Sequence, residues 1–572
     1  YMIKNKQVTF NGAFNINTKY KKGSIFTGSA ALALKAEITR AHSTNPINKA
    51  VKIVPLTISY YPIRPGENRL LLLIDKYLNI RGTHFFEELE IELNLLRYAN
   101  INFHFSEPIL VHDYVKEYLE KNTKALDTKI HIDNLIDQQR KPLTNDVMEK
   151  VYSNLQINFD HIFIISLITM PTLKVSPSHL KELIYKNIVS LKKIKNLQIH
   201  PQLQHELFTL LLSDAYEPFS SAIKLALTQN VLYKDSEGDY LFDKNLLEKE
   251  YDFNKIRVKN TLQVILNEIK WKKDVLNMAH QNAKFTYKEL QENNFEYLKK
   301  KEWNIFEKEY LVYHKDAPTK NAMGAPIFLQ NERNTIGFVF SHGYMAAPQE
   351  AKYLAEYLFE KGINVYIPRL RGHGTDPEAL KYINAQDWEH DFKLAFTIMR
   401  KTCDKVLIGG FSTGGLLALI HASKFHVDGV VAINSALRLN NLQVTYVLPA
   451  LHAFNEMVSH LHAKGVREWI ENNSENNQVN YSKHPLESIV EMEKVMTKAD
   501  KNLQKITAPI LIIQGDNDPV VNPKSAQLIY DGVGSKRKKF ILIPRDNHIV
   551  ICKKEDTEVF NSIYRFIKDV TT

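Results

Sequence analysis

The stretch that most constrains this chain is Gly410-Phe411-Ser412-Thr413-Gly414, because of what flanks it. Before it runs Lys405-Val406-Leu407-Ile408-Gly409, an apolar run that reads as a buried parallel strand. After it, Gly415-Leu416-Leu417-Ala418-Leu419-Ile420-His421-Ala422 reads as a helix. A strand, a G-x-S-x-G and a helix in direct succession make a very sharp turn that exposes the serine hydroxyl. Side chains two positions from the serine would collide in it, hence Gly410 and Gly414. The turn also sets Ser412 at a helix N-terminus, where developing negative charge is favoured. A bare G-x-S-x-G is common in long chains; the flanking elements make Ser412 the candidate nucleophile.

A serine hydroxyl is a poor nucleophile until a base takes its proton, and a carboxylate must orient that base. A histidine and a carboxylate beyond this turn, each in a loop after an apolar strand, are the candidates for base and acid. Beyond residue 484 the only histidine is His548, in a polar loop after the apolar run Ile541-Leu542-Ile543. The acid should follow the preceding strand, Pro509-Ile510-Leu511-Ile512-Ile513-Gln514-Gly515. Asp516 and Asp518 both stand there. Asp518 is preferred, since it precedes Pro519, which stiffens the loop, whereas Asp516 abuts the strand and suits turn capping. Asp546 is a third candidate, better suited to shaping the histidine loop.

An oxyanion needs two preorganised N–H donors. One is the backbone N–H of Thr413. The other is expected from Tyr344, after the strand Ile336-Gly337-Phe338-Val339-Phe340-Ser341, where His342-Gly343 lets the chain turn tightly. His342, and His373 in Arg371-Gly372-His373-Gly374, are read as structural loop residues rather than catalytic ones.

Five motifs thus occur in order: His342-Gly343-Tyr344, Pro368-Arg369-Leu370-Arg371-Gly372-His373-Gly374, Gly410-Phe411-Ser412-Thr413-Gly414-Gly415, Gly515-Asp516-Asn517-Asp518 and Asn547-His548. Together they resemble the α/β-hydrolase branch of monoacylglycerol lipases, small bacterial carboxylesterases and serine aminopeptidases, over roughly residues 305–572. The resemblance implies a mostly parallel sheet with a helical lid. It also implies a triad of Ser412, Asp518 and His548, with Tyr344 and Thr413 as oxyanion donors. Asn547 departs from the glycine that relatives commonly carry before the histidine. The implied activity is hydrolysis of acyl esters, monoacylglycerols or lysophospholipids being favoured. Thioesterase or peptidase activity of the same fold is the alternative.

Between Asn434 and Pro509, the residues Val444, Leu448, Leu451, Phe454, Val458 and Leu461 recur at helical spacing, with Pro449 inside the pattern. Residues 437–500 are read as a lid with an apolar underside; the plain alternative is an amphipathic helix packed on the body. His452, His460 and His462 lie here without a Cys or carboxylate cluster, so no metal and no cofactor is expected.

With 572 residues, 44% hydrophobic and 24% charged, the chain suits two or three globular domains. Two cysteines, Cys403 and Cys552, fit a reducing compartment rather than a disulfide framework. The chain opens on polar residues, and the apolar run Ile162 to Leu173 is too short to span a bilayer. A cytoplasmic protein is expected. The net charge of +10 rests on lysine-rich faces such as Lys299-Lys300-Lys301 and Lys536-Arg537-Lys538-Lys539. Such faces are usually solvated surface; weak peripheral attraction to anionic membrane at its inner face is the alternative. No motif points to nucleic acid.

In the N-terminal half, Lys52 to Tyr61 reads as a strand, Arg69 to Asn79 and Glu87 to Tyr98 as helices, and much of 115–300 has helical periodicity. The Lys-, Glu- and Asn-rich stretch around 286–308 reads as a boundary. Met2-Ile3-Lys4-Asn5-Lys6, Thr27-Gly28-Ser29-Ala30-Ala31-Leu32-Ala33-Leu34-Lys35 and Val54-Pro55-Leu56 are similar to the later part of phospholipid/glycerol acyltransferases. That family's H-x4-D and Pro-Glu-Gly motifs are missing: no histidine here is followed five positions later by aspartate. The resemblance implies a partial α/β acyltransferase-like region at 1–110, a mainly helical extension at 111–304 and the α/β-hydrolase domain at 305–572. It also leaves a rival reading, a glycerolipid acyltransferase lacking its catalytic half in this chain.

Overall fold

The computed structural model describes residues 2–4, 7–9, 28–43, 49–62, 100–121, 129–204, 207–213, 216–247, 260–315, 318–319, 322–440 and 469–572. Two compact units emerge, Tyr1–Leu290 and Gln291–Thr572. The helices expected at Arg69–Asn79 and Glu87–Tyr98, and the lid helix around 444–461 with its three histidines, lie outside the described residues.

In the first unit, the helix Gly28–Ala41 buries Ala30, Ala33, Leu34 and Ile38 in one cluster with Ile53, Ile109, Val111 and Leu143. Glu37 is fully buried on the same face. Burial pushes its carboxyl up, but hydrogen bonds from Arg40, Val51 and His112 outweigh this and hold it below its ordinary range.

The run from Lys52 to Tyr61 is not one strand. Lys52–Ile53 pairs with Ile109–Leu110, and Leu56–Tyr61 pairs antiparallel with Asn100–Phe105. The break falls at Val54-Pro55, where proline has no N–H to donate and its carbonyl instead accepts from Ser106 at 2.9 Å.

The apolar run after Ile157 forms the helix Phe159–Thr169, capped by Asn158 and buried on nearly every side by the helices around it. No described helix is long and apolar enough to cross a membrane.

In the second unit, β1 (Ile327–Leu329), β2 (Ile336–Ser341), β3 (Asn364–Ile367), β4 (Lys405–Phe411), β5 (Val430–Ile433), β6 (Ile510–Gly515) and β7 (Lys538–Ile543) form one sheet ordered β1-β3-β2-β4-β5-β6-β7. Every pairing is parallel except β1 with β3. β4 and β5 sit centrally and are almost wholly buried, which explains their unbroken apolar sequence.

The helix α1 (Tyr287–Tyr313) runs without a break through the stretch read as a boundary. Among the described residues, six more follow: α2 (Lys352–Glu360), α3 (Ala385–Met399), α4 (Thr413–Ala422), α5 (Leu486–Asn502), α6 (Lys524–Gly532) and α7 (Thr557–Thr571). The core joins Phe338, Phe340, Val365, Ile433, Ile513, Phe560 and Ile563 from strands and helices; each such side chain contributes roughly 1.5–3 kcal/mol by leaving water.

Within the range read as a lid, the described part is a hairpin (Trp469–Glu471 with Lys483–Pro485) and α5. The apolar face of α5, Ile489, Met492, Val495 and Ala499, is buried, and the helix lies against α4. In the lysine-rich run at β7, Lys538 caps the end of α6 by donating to the Tyr530 and Val533 carbonyls, and Arg537 pairs with Asp569.

Candidate active site

β4 ends at Phe411, α4 begins at Thr413, and Ser412 between them has φ +54° and ψ −118°. A non-glycine residue held there costs on the order of 1–3 kcal/mol, sustained by the core on either side. A Cβ on Gly410 would lie 2.1 Å from the Gly414 carbonyl carbon, and one on Gly414 would lie 2.3 Å from the Ser341 carbonyl oxygen. Both glycines are therefore dictated by backbone packing. The Ser412 N–H donates to the Ile433 carbonyl at 2.9 Å, tying the turn to β5.

Three strand ends bring Ser412, His548 and Asp518 together. His548 Nε2 is 3.1 Å from Ser412 Oγ, and its Nδ1 is 2.7 Å from Asp518 Oδ2. A carboxylate can only accept, so Nδ1 carries the proton and Nε2 is free to accept from the serine hydroxyl. The other Asp518 oxygen accepts from the Val520 and Val521 N–H groups at 2.8 and 2.9 Å, which fixes the carboxylate plane. Asp516 points elsewhere: its Oδ1 accepts from the Arg545 N–H at 3.0 Å and closes the turn between the β6 and β7 loops. Asp546 is exposed.

The loop after β2 is pinned by His342. Its Nδ1 lies 2.8 Å from the Gly343 carbonyl, so Nδ1 donates, and Nε2 accepts from the Leu370 N–H at 3.2 Å. Burial lowers its pKa to about 4, which suits a neutral ring in that double role. Gly343 N–H donates to Glu350 at 2.8 Å. Glu350 is fully enclosed, and burial raises its carboxyl to about 7, against the Gly343 hydrogen bond and the field of His548. The Tyr344 hydroxyl meets His484 Nδ1 at 3.1 Å and is hydrogen-bonded to Ser488.

His373 packs edge-on to Tyr344 and Trp388, its Nδ1 3.1 Å from the Arg371 carbonyl. Beneath this loop, buried Arg369 pairs with Glu309 of α1 at 2.5 Å and lies over the Phe306 ring. Glu309 also accepts from the Gly372 N–H and the Thr375 hydroxyl.

Several residues of this neighbourhood escape sequence reasoning. Asn434, at φ +40°, donates from Nδ2 to the His548 carbonyl at 2.7 Å and accepts from the Gly515 N–H at 2.8 Å. A polar residue ending the apolar strand Val430–Ile433 was its only sequence signal. Asn440 donates to the Asp518 carbonyl at 2.7 Å. Glu350, Glu475, Tyr481, His484 and Ser488 carried no local signal. Among the described residues, Asp235, Glu237 and Asp239 in the first unit stand close enough to hold a cation, but the Lys174 ammonium already lies 2.7–3.5 Å from them.

The serine aminopeptidase family model matches residues 333–555, inside the second unit. Over 220 residues the chain is 27% identical to a thermostable monoacylglycerol lipase of Bacillus sp., covering 38% of this chain and 84% of that one. Over 228 residues it is 22% identical to a carboxylesterase of Bacillus subtilis, covering 40% and 90%. Among solved structures, a metagenome-derived lipolytic enzyme aligns at 28% identity over 43% of this chain and 98% of its own, with a TM-score of 0.39.

Proposed function

We propose that the chain is a serine hydrolase of acyl esters, with Ser412, His548 and Asp518 as its triad and with a C-terminal part similar to the monoacylglycerol lipases, carboxylesterases and serine aminopeptidases of the α/β-hydrolase superfamily. The observation that carries this is the hydrogen-bonded line from Ser412 Oγ to His548 Nε2 and from Nδ1 to Asp518. The named relatives are a lipase and an esterase, which supports ester hydrolysis.

In this reading His548 takes the Ser412 proton as Oγ attacks the ester carbonyl. The oxyanion is met by the backbone N–H groups of Thr413 and Tyr344. Collapse breaks the ester C–O bond, and the proton held on His548 passes to the departing alcohol. Water, deprotonated by the same imidazole, then releases the acid from the acyl-enzyme. Asp518 holds the imidazole tautomer and stabilises its cationic form. Monoacylglycerols or lysophospholipids are the substrates we favour.

A fluorophosphonate probe on wild type and Ser412→Ala, followed by a p-nitrophenyl ester series of rising acyl length, tests this. Labelling lost in the variant, with turnover down at least about 10³-fold, is the expected result. A folded wild type that takes no label would overturn it. For residues 1–110 we keep the reading of an acyltransferase-derived region without its H-x4-D motif. Acyl-CoA-dependent transfer to glycerol phosphate by this chain would contradict it.

A further inference from the structure

We infer that Glu475 is a positioning residue for His548, an inference that rests on His548 being the general base. Glu475 lies between the hairpin strands Trp469–Glu471 and Lys483–Pro485. Its Oε1 accepts from the His548 N–H at 2.8 Å and its Oε2 from the Ile549 N–H at 3.0 Å. One carboxylate thus takes two successive backbone amides at the residue whose ring faces Ser412.

Residues 544–556 form no helix or strand, so no ladder satisfies those amides. His548 and Ile549 are nonetheless buried, at 9% and 6% exposure. Glu475 is itself exposed, yet without it the N–H groups of two buried residues lose a charged acceptor, and such bonds are roughly twice as strong as neutral ones. The His548 carbonyl is already held by Asn434, and the ring by Asp518 and the Phe411 face. Glu475 supplies the hold at the N–H.

The segment that carries Glu475 is itself anchored on the opposite side of the site. Tyr481 N–H donates to the Met345 carbonyl at 3.0 Å. The Tyr481 hydroxyl donates to the Gly372 carbonyl at 3.0 Å and accepts from the Thr375 N–H at 2.8 Å. Asn472 donates to the Tyr481 carbonyl at 2.9 Å, and His484 meets the Tyr344 hydroxyl. The stretch from Asn472 to His484 therefore runs as a strap from the loop carrying Tyr344 to the loop carrying His548. Glu475 is its contact with the base, and the strap sets how far the imidazole stands from the serine and from the oxyanion donors.

Glu475→Ala removes both acceptors. Glu475→Gln keeps one oxygen and presents an NH₂ where the other stood. With the full chain, kcat and KM are measured on a short-chain p-nitrophenyl ester, beside the rate of Ser412 phosphonylation, the melting temperature and the downfield proton resonance of His548 Nδ1–H. Displacing a catalytic group by about 1 Å costs about 10²-fold. Glu475→Ala should therefore lose about 30- to 100-fold in kcat and in phosphonylation rate, with KM within about twofold of wild type. Glu475→Gln should fall between, and the Nδ1–H resonance should shift or broaden in both.

Wild-type rates in a folded variant would overturn the inference, as would a loss carried wholly by KM, which would make Glu475 a substrate contact. If Glu475→Ala does not fold, the same criteria apply to Glu475→Gln. A wild type that takes no label on Ser412 would remove the triad reading and this inference with it. A labelled wild type beside an unimpaired variant would remove this inference alone.

Discussion

Asn434 holds the His548 carbonyl at 2.7 Å with its side-chain amide, while its carbonyl oxygen takes the Gly515 N–H. One fully buried residue at the end of β5 thus ties the strand leading to Asp518 to the loop carrying His548. Replacing it by Ala strips a donor and an acceptor from two buried backbone groups and puts a Cβ-bearing residue with no local hydrogen bond at positive φ. The expected cost is about 2–4 kcal/mol in denaturant unfolding. Asn434→Asp, which can still accept from Gly515 but cannot donate to His548, should be intermediate. Near-wild-type stability for Asn434→Ala would mean the staple is slack.

Asp518→Asn should lower kcat by about 10⁴-fold, because the amide no longer enforces the Nδ1–H tautomer. Asp516→Asn keeps an oxygen for the Arg545 N–H and should stay within about fivefold of wild type. Steady-state kinetics on one ester decides the order, and the reverse order would reassign the acid.

Tyr344→Phe separates two roles at one residue. If the oxyanion is met by the backbone N–H, losing the hydroxyl only frees His484 and Ser488, and activity should fall less than about tenfold. A loss above about 10³-fold would make the hydroxyl itself the donor.

Glu350 has a carboxyl raised by burial to about 7, against an ordinary value of 4.5. A raised acid binds its proton more tightly folded than unfolded, so its stabilising contribution is complete below about 4.5 and is lost as pH rises to about 7. Glu350→Gln imitates the protonated form. It should match wild type at pH 4.5 and exceed it by about 3 kcal/mol above pH 7.

His342, His484, His390 and His421 run the other way. Burial holds them at about 4, 4, 3 and 3. Their contribution is present above about 6.5 and lost on acidification. The wild type should therefore melt progressively earlier from pH 6 to pH 4, while Glu350→Gln declines more steeply. Parallel wild-type and variant curves across this range would contradict the assignment.

What could be read in the sequence follows from how local each constraint is. The elbow around Ser412 is a five-residue steric problem with one solution, and strands β4 and β6 are continuous apolar runs because both faces are covered. Ser412 follows directly on β4 and Asp518 lies in the short loop after β6, whereas His548 comes after the half-exposed β7 and is legible because it is the one histidine in the sequence beyond residue 484. Asn434 and Glu475 act on partners 114 and 73 residues away, so nothing in their own neighbourhood marks them. The Lys-, Glu- and Asn-rich stretch at 286–308 does contain the division between the two units, at Leu290 and Gln291, but what spans it is the continuous helix α1, whose inner side buries Leu298, Glu302 and Phe306.

The Glu309–Arg369 pair bears on where this enzyme unit can be cut. The family match begins at 333, yet the partner of a buried guanidinium stands on a helix that ends at 313. A fragment started at the edge of the match would strand a positive charge under the loop that leads to His373, and would be judged a poor enzyme for a fault of the scissors. A fragment that keeps Arg369 paired has to begin upstream of the family match, inside α1.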